Sequence, residues 1–62
     1  MIVKNIKALC EREGVTIRAL EEICALGNGT VRRWDVSAPS VDRLARVAAF
    51  FGVTIDELLK EE

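Results

Sequence analysis

The stretch Gly27-Asn28-Gly29-Thr30-Val31-Arg32-Arg33-Trp34-Asp35 (GNGTVRRWD) decides how the rest of the chain is read. Two glycines bracket an asparagine. Two adjacent arginines and the only tryptophan follow, in a chain whose net charge is −1. A helix capped by Gly27 and running to about Asp35 sorts these residues by face. Leu26 and Val31 then have the spacing of a hydrophobic staple across the helix start. Val31 and Trp34, three apart, point inward together. A rotation of about 100° per residue puts Gly29, Arg32 and Arg33 on the opposite side, with Asn28 at its edge. The predicted helix has a narrow buried stripe and a basic outer face that is slim at its leading end.

Working outward, the preceding segment is predicted as a second helix from about Thr16 to Ala25. Thr16 is its N-cap, Val15 and Leu20 form a staple, and Leu20, Ile23 and Cys24 supply its apolar face. Before that, helix 1 covers about residues 2 to 13. Ile2, Ile6, Leu9 and Cys10 recur at helical spacing, Lys7 and Glu11 pair four apart outside, and Gly14 ends it. After the central stretch, Ser37-Ala38-Pro39 reads as a loop. Ser40 caps helix 4, whose inward stripe is Val41, Leu44, Val47, Ala48 and Phe51, and Gly52 stops it. Thr54-Ile55-Asp56-Glu57 is a capping box, and Val53 with Leu58 a further staple, for a short helix 5 over about residues 55 to 60. The expectation is one all-α domain spanning residues 1 to 62, with five short helices and no strand.

Composition narrows the function. Half the residues are apolar and 31% are charged, as in a compact globule. No apolar run is long enough to span a membrane, and MIVKNIK lacks the pattern of a signal peptide, so a cytoplasmic location is expected. The two cysteines, Cys10 and Cys24, read as buried reduced thiols. Without histidine they make no zinc set. No phosphate-cradling glycine loop, general-base histidine or nucleophile–base pair is present, so no enzyme activity and no cofactor are expected.

A helix, a tight glycine-containing turn and a second helix form a helix-turn-helix pattern, which lays its second helix in the DNA major groove. Arginine can bond guanine O6 and N7 together, and asparagine can do the same to adenine N6 and N7. The charge is arranged to match. Residues 29 to 46 carry four arginines (32, 33, 43 and 46) against two aspartates, a balance of +2, while the remainder balances at −3. Positive charge gathered on one segment of an acidic chain is the footprint of a nucleic-acid face.

From Asn5 to Leu59 the chain resembles the Cro/phage-repressor (XRE-type) helix-turn-helix family. The similarity rests on Gly14-Val15-Thr16, Leu20, Thr30-Val31-Arg32-Arg33-Trp34-Asp35, Pro39-Ser40 and the closing Phe51-Gly52-Val53-Thr54-Ile55-Asp56-Glu57-Leu58-Leu59. It implies a five-helix lambda-repressor-like domain that binds a palindromic operator in double-stranded DNA as a homodimer and represses or otherwise regulates transcription. It places base reading on Asn28, Gly29, Arg32 and Arg33. Phosphate contacts fall at Thr16 and Ile17, and at Ser37, Ser40 and Arg43. Val31 and Trp34 match core positions.

Three positions depart from the family pattern. Ile17 stands where a glutamine usually touches phosphate, a role left to the backbone N–H groups there or to Arg18. Glu21 replaces a small alanine and is expected to reach solvent or to pair with Arg18 or an arginine of helix 3. Ala25 replaces a glycine at the end of helix 2, so Gly27 is expected to absorb the turn. Phe50, Ile55 and Leu59 exceed the needs of one small core and are assigned to the dimer interface. No membrane and no small-molecule ligand are expected as partners. The competing reading is a protein-interaction module of the same fold, an antitoxin or accessory factor, favoured by the acidic total and the loop after helix 3, which has no lysine.

Overall fold

The computed structural model describes residues 2–61. Met1 and Glu62, the ends of the predicted domain, lie outside them. The described residues form four α-helices and one 3-10 turn, with no strand: α1 (Ile2–Glu13), α2 (Ile17–Ile23), the 3-10 turn Val31–Arg33, α3 (Val41–Phe51) and α4 (Ile55–Leu59). No helix among them is long and apolar enough to cross a membrane.

Helix starts follow from side-chain oxygens. Thr16, Ser40 and Thr54 each sit in extended backbone and accept from the amide three residues on, at Ala19, Arg43 and Glu57. Each bond satisfies one of the donors that a helix N-terminus leaves without a partner. The helix ends are held from a distance. Asn5 Nδ2 donates to the Leu58 and Lys60 carbonyls at 2.8 and 2.6 Å. Arg12 Nη2 donates to Phe51 O, and Arg46 Nη1 to Cys24 O and Ala25 O. Three helix C-termini are thereby tied to neighbouring helices, so that even the five-residue α4 has a fixed place.

One core runs through all five elements: Ile2, Ile6 and Cys10 from α1, Leu20 and Cys24 from α2 and its end, Leu26, Val31 and Trp34 from the central stretch, Leu44, Val47, Ala48 and Phe51 from α3, and Leu58 from α4. Cys10 and Cys24 are buried and unbridged. Burial pushes both thiols above their ordinary titration range; proximity to Cys24 adds to the effect on Cys10, and Arg46 partly offsets it on Cys24.

The structure corrects the sequence reading at several points. The largest concerns helix 3. Gly27 (φ +91°) and Gly29 (φ +79°) both occupy the left-handed region, which a right-handed helix cannot pass through. Winding therefore begins only after Gly29. It stays tight, with amide-to-carbonyl bonds three residues apart at Arg33 to Thr30, Trp34 to Val31 and Val36 to Arg33. The predicted α-helix from Gly27 to Asp35 is thus one 3-10 turn, Gly27 is not its N-cap, and the fifth α-helix of the prediction is absent among the described residues. Helix 2 ends at Ile23 rather than Ala25. Two assigned core residues face out: Ile23 is 60% exposed and Val41 is 73% exposed. Lys7 and Glu11 form no ion pair; among the described residues the ion pairs are Arg12–Glu13 and Arg46–Asp42.

Ala25 takes the left-handed conformation itself, at φ +56°, so Gly27 does not relieve it. A left-handed non-glycine residue costs about 1–2 kcal/mol, offset in part by the freer unfolded chain that glycine brings. Ala25→Gly is expected to stabilise the domain by about 1 kcal/mol and raise its melting midpoint by roughly 5 °C. Thermal unfolding followed by circular dichroism checks this, and an unchanged or lowered midpoint would show that the position carries no strain.

Candidate nucleic-acid interface

The 3-10 turn distributes its side chains differently from an α-helix. With three residues per turn, positions i and i+3 eclipse and successive side chains stand about 120° apart. Val31 and Trp34 therefore share one inward line, and both are buried, at 0% and 5% exposure. Arg32 and Arg33 are left to splay to either side of the outward direction. Adjacency on this turn sends one long donor toward each flank.

The flanks are two depressions that share Asn28 and Gly29 in their walls. Lys7, Arg18 and Arg32 bring three cations to the first, with Ile17 and Glu21 beside them. The second runs from Thr30 and Arg33 past Trp34 and Ser37 to Pro39 and Arg43. Asn28 and Gly29 border both, so this pair, called the crest below, lies between two basic flanks. A Cβ added to Gly29 would stand 3.7 Å from Arg32 Nε and Nη2, which places the guanidinium over the glycine backbone.

All of Asn28, Gly29, Arg32 and Arg33 thus come together on one surface. Of the residues assigned to phosphate, Arg18 lines the first flank, and Ser37 and Arg43 the second. Thr16 and Ser40 are exposed N-caps whose oxygens accept from Ala19 N and Arg43 N, at 3.0 and 3.2 Å. Each hydroxyl keeps its own hydrogen for an outside acceptor. Arg46, counted in the basic balance of the segment, is turned toward the end of α2 and toward Asp42.

Two residues were missed by sequence reasoning. Lys7 projects from α1 into the first flank, where it stands with Arg18 and Arg32. The helical period shows that Lys7 faces outward, but only the packing of α1 on α2 shows over which surface. The second is Glu21, expected in solvent or against an arginine. Its side chain is buried, at 3% exposure, and its two oxygens accept from Gly29 N at 2.9 Å and Val31 N at 3.0 Å.

The residues assigned to dimerisation are not gathered on one patch. Phe50 is half-buried and lies with Ile23, Ala25, Ala49 and Arg46 around a shallow apolar groove. Leu59, 49% exposed, borders a separate depression with Ile2, Trp34 and Pro39. Ile55 is half-buried against the core. No family model, no curated protein and no solved structure matches this chain.

Proposed function

We propose that the chain is a sequence-selective DNA-binding domain and a regulator of transcription. The crest Asn28–Gly29 enters the major groove, with Arg32 and Arg33 reaching base edges on either side. The observation that carries this reading is the pairing of a slim crest with two basic flanks. The major groove is about 12 Å wide and bordered by two phosphate strands, so a ligand that fits it needs a narrow leading edge and cations on both sides. In helix-turn-helix proteins the base contacts come from the N-terminal residues of the recognition element, and a single turn presents those. The resemblance to the Cro/phage-repressor family supports the same assignment, with the second helix shortened to one 3-10 turn. In this reading Lys7, Arg18 and Arg43 neutralise phosphates, and the hydroxyls of Thr16, Ser37 and Ser40 donate to them. A palindromic site read by a homodimer completes the proposal, with Phe50, Ile55 and Leu59 as the residues to test at its interface.

Phosphate neutralisation has a direct signature. The logarithm of the binding constant falls linearly with the logarithm of salt concentration, by about 0.9 for each phosphate contact on duplex DNA. Titration of a labelled random-sequence duplex at several salt concentrations is expected to give such a line. Arg43→Ala is expected to make its slope shallower by about 1 and to weaken all sequences alike. A salt-independent response would favour the alternative in which this face docks on a protein.

A further inference from the structure

We infer that Glu21 is the residue that positions the DNA-contacting crest, holding Gly29 and Val31 in the one arrangement that presents Asn28, Gly29 and the two arginines together. The inference rests on the DNA-binding reading above.

Among the described residues Glu21 is the only buried charged side chain. No cation pairs with it, since the ion pairs there are Arg12–Glu13 and Arg46–Asp42. A buried carboxylate without a counter-ion is tolerated only when its oxygens are hydrogen-bonded. Here both oxygens are taken, one by Gly29 N and the other by Val31 N, and among the described residues no buried side-chain polar atom is left without a partner. The dependence runs in both directions. Any other path through residues 27 to 31 would turn those amides away and strand the charge. The segment needs such a constraint, because its two glycines give it the freest backbone in the chain. Thr30 Oγ1 ties the back of the turn to Leu26 O at 2.7 Å, and Glu21 ties the front. The carboxylate also takes over the work of an N-cap, satisfying the Val31 amide at the start of the 3-10 turn from ten residues away. Because Asn28 and Gly29 border both basic flanks, their placement sets the relation of Arg32 to Arg33.

Glu21→Gln keeps the shape of the side chain but offers one oxygen and one NH2 group, so at most one of the two amide bonds survives. The variant is made in the Ala25→Gly background to keep it folded, with Trp34 fluorescence and thermal unfolding as checks. Wild type and variant are compared in a selection from randomised duplexes, followed by titration of the enriched site and of a random duplex over a salt series. The expected result is a roughly tenfold fall in the ratio of specific to random binding, the effect of losing one hydrogen bond to a charged group. The affinity for random duplex and its salt slope should stay unchanged. Hydrogen exchange in the wild type should show the Gly29 and Val31 amides protected, and that holds as a test even if the variant fails to fold. An unchanged ratio, a parallel loss of specific and random binding, or unprotected amides in the wild type would each overturn the inference. A wild-type protein that selects no sequence removes the DNA-binding reading itself and the inference with it; sequence preference with an unchanged ratio removes the inference alone.

Discussion

Trp34→Ala is expected to leave about half of the molecules or more unfolded at room temperature. Trp34 is the largest side chain in the core and one of only three aromatic residues in the chain. It sits just past the 3-10 turn, belongs to the shared core, and lines one depression with Ile2 of α1, Leu59 of α4 and Pro39. Truncating a buried tryptophan to alanine costs about 3–5 kcal/mol. A single core in a chain below 70–80 residues rarely supplies more than about 3–5 kcal/mol of net stability. The two ranges coincide, so net stability should fall to about zero and the folded fraction to about half or below. Loss of helical circular dichroism at 25 °C would register it. Trp34→Phe keeps an aromatic ring in place and should remain folded with a lowered midpoint. A Trp34→Ala protein that melts within a few degrees of wild type would remove Trp34 as the anchor of the turn.

Arg33→Ala is expected to lower preference for the cognate site by roughly 5- to 150-fold, the equivalent of about 1–3 kcal/mol for one bidentate base contact. Arg33 is exposed on the second flank beside Ser37 and Arg43, and among the described residues no carboxylate pairs with it. The loss should appear as relaxed choice at one base position, with binding to random duplex far less affected. Arg33→Lys should not restore it, because an ammonium cannot reproduce the fork of the guanidinium. Arg32→Ala should relax a different position, since Arg32 lies on the opposite flank with Lys7 and Arg18. Competition by sites carrying single base-pair changes separates the two. Loss at the same position for both variants would contradict the splayed placement.

Much of the fold can be read from local signals. The capping residues Thr16, Ser40 and Thr54 act as their spacing implies, because an N-cap bond spans three residues and needs no tertiary partner. The periodic apolar residues of α1 and α3 are buried where the pattern is dense, as at Ile6, Cys10, Leu44 and Val47. The failures lie where local and tertiary effects compete. The pattern around Val31 and Trp34 is equally compatible with a 3.6- and a 3.0-residue period, because both bring positions i and i+3 to one face. The two glycines decide between them, and their left-handed φ values emerge only in the folded turn.

Glu21 illustrates a deeper limit. A carboxylate at an inward position reads as a conflict in sequence, because its partners are backbone amides eight and ten residues downstream. Those amides face Glu21 only once the turn has formed. Ala25 differs: its left-handed turn closes locally, with Leu26 N donating to Glu21 O at 2.8 Å and Ala25 N to Glu22 O at 3.3 Å, the pattern that usually takes glycine at this position. Ile23 and Val41 stand at the margins of their apolar stripes, and packing leaves both outside the core. The candidate site is therefore legible as a set of residues, while its shape, a crest between two basic flanks, belongs to the tertiary structure.

The most direct test of DNA reading by this crest is selection from a randomised duplex library at moderate salt, with the purified, folded protein and sequencing of the bound fraction. The expected result is an enriched motif of two half-sites related by a dyad and about 34 Å apart, with guanine at the positions that Arg32→Ala and Arg33→Ala variants cease to select. A folded protein that enriches no sequence over the starting library would contradict it.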